Sequence, residues 1–129
     1  MTEIELKNEL EIALDRARRG LIAVSQFLAV FARSDLAVPS GAAVMPDGGG
    51  FQPVLFDKNK IKMVACFTSR DRIGEYAAIA PYCLMICGWE FLRRVPDHYG
   101  VVINPGLPLG FEIAPEGLPK IVKDFAPNH

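Results

Sequence analysis

A chain of 129 residues can hold one core, burying roughly two-thirds of the surface its unfolded form exposes, so a single domain over residues 1–129 is expected. Half of its residues are apolar and 22% are charged, which excludes a disordered or fibrous chain, and 14 basic against 15 acidic side chains, a net charge of −1, leave no broad positive field for nucleic acid or an anionic membrane. Three cysteines without paired spacing, no basic and apolar leader, and no run of roughly eighteen uncharged apolar residues predict a soluble cytoplasmic protein in a reducing compartment.

Thr2 followed by Glu5 fits a capping box, so a first helix is predicted from there. Leu6, Leu10, Ala13, Leu14 and Ala17 recur on one face, and Arg18, Arg19 and Gly20 supply basic charge and a stop at its C-terminus. The run "RARR" thus reads as a helix end rather than an anion patch. From Leu21 to Ala32 nearly every position is apolar, predicting a second helix covered on more than one face. "LAVP" then gives a short strand ended by proline, and "SGAAVMPDGGGFQP" a loop. Gly48, Gly49 and Gly50 lead into a strand instead of a helix carrying Lys and Ser or Thr, so they lack the context of a phosphate loop.

"PVLF", the four-residue turn "DKNK" and "IKMVACF" predict a β-hairpin. Two further strands, "YCLMIC" and "VVIN", each follow a gap of about a dozen residues with helical patterning, long enough for a parallel crossover and longer than a hairpin needs. The helical candidates in those gaps are "TSRDRIGEYAAIAP" and "GWEFLRRV". The expected fold class is therefore mixed α/β (α+β): two N-terminal helices, then a mixed sheet with a β-hairpin, right-handed β-α-β-α-β crossovers and short helices. In "NPGLPLGFEI", Pro105 and Gly106 have the chemistry of the two central positions of a type II turn, which makes the stretch a corner leading to the returning strand "GFEI". Pro115 opens a helical turn, and Pro119 starts a last short helix whose apolar face is Ile121, Val122 and Phe125.

The succession "NELEIALDRA", "LAVP", "PVLFDK", "VACFTSRDR", "GWEFL" and "VVINPGLPLGFEIAPEGL" resembles the SseB N-terminal domain family, whose enterobacterial members are called enhanced serine sensitivity proteins. "FTS", "NPG" and "FEIAP" are its most specific parts, and the insert "MPDGGG" departs from it. The resemblance implies a small bacterial α/β domain of unestablished biochemical activity, found alone or beside further domains.

Cys83 and Cys87 lie four residues apart on one strand, about 13 Å between Cα atoms, beyond the roughly 7 Å a disulfide spans. All three cysteines, Cys66 included, are expected to pack without metal or cofactor. His98 and His129 have no nucleophile or second ligand near them in sequence, and are expected to face solvent. Asp71, Glu75 and Glu90 suit a solvated helix face. With three parallel strands, "TSRDR", "CGWE" and "NPG" share the C-terminal edge of the sheet, where open α/β sheets place their ligands. There Thr68 or Ser69 caps the following helix, Arg70 and Arg72 add surface charge, Asn104 offers an amide, and Trp89 a wall or interface anchor. The expected function is a non-enzymatic binding module holding a protein segment or a small anionic ligand at this edge. The alternative is a small-molecule enzyme or metabolite sensor using the same edge. The sequence carries no indication of oligomeric state.

Overall fold

The computed structural model describes residues 5–47 and 49–127. Among them, two N-terminal helices lead into mixed β-structure interspersed with two further short helices, a mixed α+β fold. The elements are α1 (Glu9–Arg18), α2 (Val24–Arg33), β1 (Asp35–Ser40), β2 (Leu55–Lys58), β3 (Ile61–Cys66), β4 (Tyr82–Cys87), α3 (Gly88–Arg94), β5 (Gly100–Ile103), β6 (Phe111–Ile113) and α4 (Leu118–Asp124).

The first helix starts later than its sequence predicts. Glu5 is not helical, and Thr2 lies outside the described residues. Asn8 is the cap: its Oδ1 accepts from Glu11 N at 2.8 Å, while its Nδ2 donates to Thr68 O at 2.9 Å. A long-range partner thus fixes the start of α1, which a local capping pattern does not reveal. The end is as expected, with Gly20 N donating to Ala17 O and Leu21 N to Arg16 O. α2 buries Phe27, Phe31 and Ala32 but exposes Val24, so only part of its surface is covered.

The hairpin forms with a tighter turn than predicted. Asp57 and Lys58 belong to β2, and Asn59 and Lys60 alone make the connection with φ of 51° and 71°, the two left-handed positions that match the twist of a two-residue hairpin loop. β3 pairs in parallel with β5, as the gap lengths imply, and β6 returns antiparallel beside β5, giving the order β2-β3-β5-β6.

The expectation of three neighbouring parallel strands requires correction at β4. It pairs antiparallel with β1 in a separate two-stranded ribbon, with Leu36 opposite Ile86 and Val38 opposite Leu84. β1 takes the position beside the end of β3 through Ala37, whose N–H and C=O both bond Phe67 at 3.0 and 2.8 Å. Since β1 is antiparallel to both, β4 still runs in the sense of β3, with β1 between them. Crossover length constrains strand direction but not which strand lies adjacent. Pro39 sits inside β1 instead of ending it. Ala37 and Gly41 donate on the side away from β4, to Phe67 O and Gln52 O, so the N–H that Pro39 lacks falls on that side and the ladder to β4 loses nothing.

Alternation along the strands separates two apolar layers. Leu36, Val38, Val64, Cys66, Val101 and Ile103 face the helices, with Leu14, Phe27, Phe31 and Leu92 packed on them. Ala37, Met63, Ala65, Phe67 and Val102 face the other way, under Ile73 and Tyr76. The segment carrying those two residues is a pair of 3-10 turns, Arg70–Arg72 and Gly74–Ala78, where the sequence suggested one helix. Gly74 adopts φ 55° between them, a left-handed step that an α-helix cannot contain.

Candidate functional site

Thr68 follows the end of β3 and Asn104 the end of β5, and the parallel pairing of those strands sets them side by side. Asn104 takes φ 53°, a left-handed conformation that Asn tolerates, and its N–H continues the ladder to Cys66 O at 2.8 Å. Beyond it Pro105 and Gly106, the latter at φ 78°, complete the expected type II turn, closed by Leu107 N to Asn104 O at 3.1 Å.

The two side chains bond each other. Thr68 N donates to Asn104 Oδ1 at 3.0 Å and Asn104 Nδ2 donates to Thr68 Oγ1 at 3.0 Å, with a second bond from Nδ2 to Leu109 O at 2.8 Å. Thr68 Oγ1 in turn donates to Glu11 Oε2 at 2.6 Å. Glu11, projecting from α1, is fully buried, and it also accepts from Lys7 N at 2.9 Å and from Arg72 at both oxygens, Nε at 3.0 Å and Nη2 at 2.9 Å. Arg72 has a further bond to the Glu5 carbonyl.

Two of the residues expected to receive an anion at this edge, Thr68 and Arg72, are bonded to the protein's own Glu11. Burial pushes the Glu11 carboxyl up, but hydrogen bonds from Arg72, Thr68 and the Lys7 backbone, with the charge of Arg72, outweigh it and hold the group at about 2. Ionised at neutral pH, Glu11 ties α1 to Thr68 after β3 and to Arg72, and through Thr68 to Asn104 after β5. The helical spacing alone does not mark it: Glu11 lies about 60° beyond Leu14, outside the apolar stripe, where a charge ordinarily meets water.

The remaining predicted residues are distributed around this network. Arg72 is mostly covered and committed to Glu11. Ser69 precedes the first 3-10 turn without capping it, and its buried Oγ meets no hydrogen-bond partner among the described residues. Arg70 is exposed and lines an open cavity of about 470 Å³ with Tyr82 and Cys83 at the start of β4. Trp89 stands apart in α3. Its Nε1 donates to Val122 O of α4 at 2.9 Å and Arg93 lies over its ring at 5.5 Å, so it joins two helices and shares no bond with Thr68 or Asn104.

Cys66 is fully buried, and burial pushes its thiol up, away from the reactive thiolate. Cys87 donates to Ala32 O at 3.0 Å. His98 is exposed in its loop, and His129 lies outside the described residues. Among the described residues no group of three or more His, Cys, Asp or Glu is placed to hold a metal, and no helix is long and apolar enough to cross a membrane.

Among the described residues β4 pairs with β1 on one side and with no strand on the other. Gly88 N donates to Ser34 O at 2.8 Å, and by strand alternation Ile86, Leu84 and Tyr82 serve the ladder to β1. The N–H and C=O groups of Cys83, Met85 and Cys87 point outward, along an uncharged strand whose residues Tyr82 and Met85 are 49% and 45% exposed.

The family model for the SseB protein N-terminal domain matches residues 10–119, a span that contains Glu11, Thr68, Arg72, Asn104 and all of β4. No curated protein and no solved structure matches the chain.

Proposed function

The chain belongs to the SseB N-terminal domain family, and from that premise we propose that it acts as a non-enzymatic binding module, holding an extended protein segment along the free edge of β4. The outward backbone groups of Cys83, Met85 and Cys87 carry this reading. An uncharged edge without bulge or inward charge is a template for another strand. Tyr82 and Met85 offer apolar contact, and Arg70, at the Tyr82 end, offers a cation to an acidic side chain or a terminal carboxylate of the segment. The absence of an assembled nucleophile and base among the described residues favours binding over catalysis, since Thr68, Asn104 and Arg72 are already bonded within the protein.

The second reading, a metabolite sensor at the same end of β4, is favoured by the open cavity that Arg70 lines and by the unpartnered Ser69 hydroxyl next to it in the chain.

Selection of displayed peptides against the whole chain tests the proposal. Bound peptides are expected to be apolar at alternate positions and to protect the amides of Cys83, Met85 and Cys87 from exchange. Met85→Pro removes one outward N–H that the β1 ladder does not use, and is expected to abolish their binding. Selected peptides that leave these amides unprotected overturn it. Saturable stabilisation by a phosphorylated metabolite or amino acid, lost in Arg70→Ala, supports the sensor instead.

A further inference from the structure

The ribbon of β1 and β4 does not close completely on the rest of the protein. Between it, β3 and α3 lies a cleft of about 290 Å³, covered on one side by the loop that precedes β2. Its walls include Phe51 from the loop, Val64 from β3, Leu84 and Ile86 from β4, and Phe91 from α3. These contribute no hydrogen-bonding side chain. The volume is near the lower end of ligand pockets, which run from roughly 300 to 1,000 Å³.

A single charged side chain, Arg94, lines the cleft. Its Nε donates to Glu90 Oε2 at 3.1 Å, but the same oxygen also accepts from Arg93 Nη2 at 2.7 Å. One carboxylate shared by two guanidinium groups leaves a net positive charge of one, and the terminal nitrogens of Arg94 meet no acceptor among the described residues. An apolar hollow with one unmatched positive charge suits a molecule with an apolar body and one negative charge. Glu90 adds local repulsion against a second negative charge, so a dianion fits less well.

We propose that this cleft is a binding site for a small monocarboxylic acid with an aromatic or branched apolar body, its carboxylate on Arg94 and its body against Leu84, Ile86 and Phe91. The site shares β4 with the strand-edge surface but uses side chains where that surface uses outward backbone groups. The two proposals can therefore fail separately.

The test is a titration of the whole ¹⁵N-labelled chain with phenylacetate, with the neutral phenylacetamide and the dianionic phenyl phosphate as comparisons. Phenylacetate is expected to give saturable shifts at the amides of Val64, Leu84, Ile86 and Phe91. Arg94→Gln should weaken it by about tenfold or more, the scale of a lost charge-assisted hydrogen bond, while leaving the weaker binding of phenylacetamide unchanged. Leu84→Trp, which fills the cleft, should remove both. Arg94 is exposed, so its substitution keeps the test valid even where Leu84→Trp fails to fold. Shifts that never saturate, that cluster away from these residues, or that are equally strong with phenylacetamide or phenyl phosphate overturn the proposal.

Discussion

Arg72 grips Glu11 through both carboxylate oxygens across 61 positions of chain, at 3.0 and 2.9 Å, and Thr68 completes the hold at 2.6 Å. The sequence alone reads Arg72 as a surface charge beside Arg70. The structure assigns the two arginines different work. Arg72→Ala strands a buried carboxylate, and loss of one partner of such a pair costs about 3–5 kcal/mol. Arg70→Ala should stay within roughly 0.5 kcal/mol of the parent. Urea unfolding of the two single variants at neutral pH separates them, and equal stabilities would remove Arg72 from the network.

Acid should find the same network. The folded Glu11 sits at about 2 against an ordinary 4.5, so the unfolded chain binds its proton first as pH falls. The stability this group contributes is complete above about pH 4.5 and is lost progressively towards pH 2, on the order of 3 kcal/mol in all. Glu11→Gln is expected to be less stable at neutral pH and to show a flatter decline through that window. A parallel decline in both proteins would show that other carboxylates govern acid unfolding.

Asn104 combines a backbone role with a side-chain role, and two substitutions divide them. Asn104→Gly keeps the left-handed conformation but loses the bonds to Thr68 and Leu109, whereas Asn104→Ala loses both. Each unsatisfied buried group costs about 1–3 kcal/mol. Thermal unfolding should therefore rank the parent above the Gly variant and the Gly variant above the Ala variant.

At the corner, Gly106 holds φ 78°, and Gly106→Val puts a β-branched side chain there. A loss of about 1–3 kcal/mol is expected, measured as a melting temperature lower by several degrees. A variant that melts with the parent would exclude the turn described here.

Gly88 tests a different constraint. Its φ is not left-handed, but a Cβ there would overlap the Phe31 carbonyl oxygen, since α3 begins pressed against the end of α2. Gly88→Ala must push the two helices apart, and a cost of about 1–3 kcal/mol, the scale of overpacking, is expected in denaturant unfolding.

What the sequence disclosed and what it hid divide along the range of the interactions. The type II turn at Pro105 and Gly106, the stop after Arg18 and the turn opened by Pro115 are written in neighbouring residues, and each formed as read. The direction of β3 and β5 followed from the length of chain between them. The placement of β1 between β3 and β4 did not, because "LAVP" and "YCLMIC" carry no charge or turn that fixes a partner or a register. Thr68 and Asn104 were both anticipated at one edge and do meet there. The carboxylate that Thr68 also holds is not legible there, because an acidic residue in a helix normally faces water and Glu11 lies farther around the helix from Leu14 than the charged Lys7 and Arg18 do.

The cradle at the strand ends can be regarded as a host whose guest is permanently attached. A carboxylate delivered by α1 stands at an effective concentration that no free acid in solution matches, so external acids are shut out for as long as that helix stays docked. Cutting the guest back, as in Glu11→Ala, vacates a hollow shaped by the protein for one carboxylate. Formate or acetate then becomes a chemical replacement part, able to return from the buffer some of the order that the missing side chain once supplied.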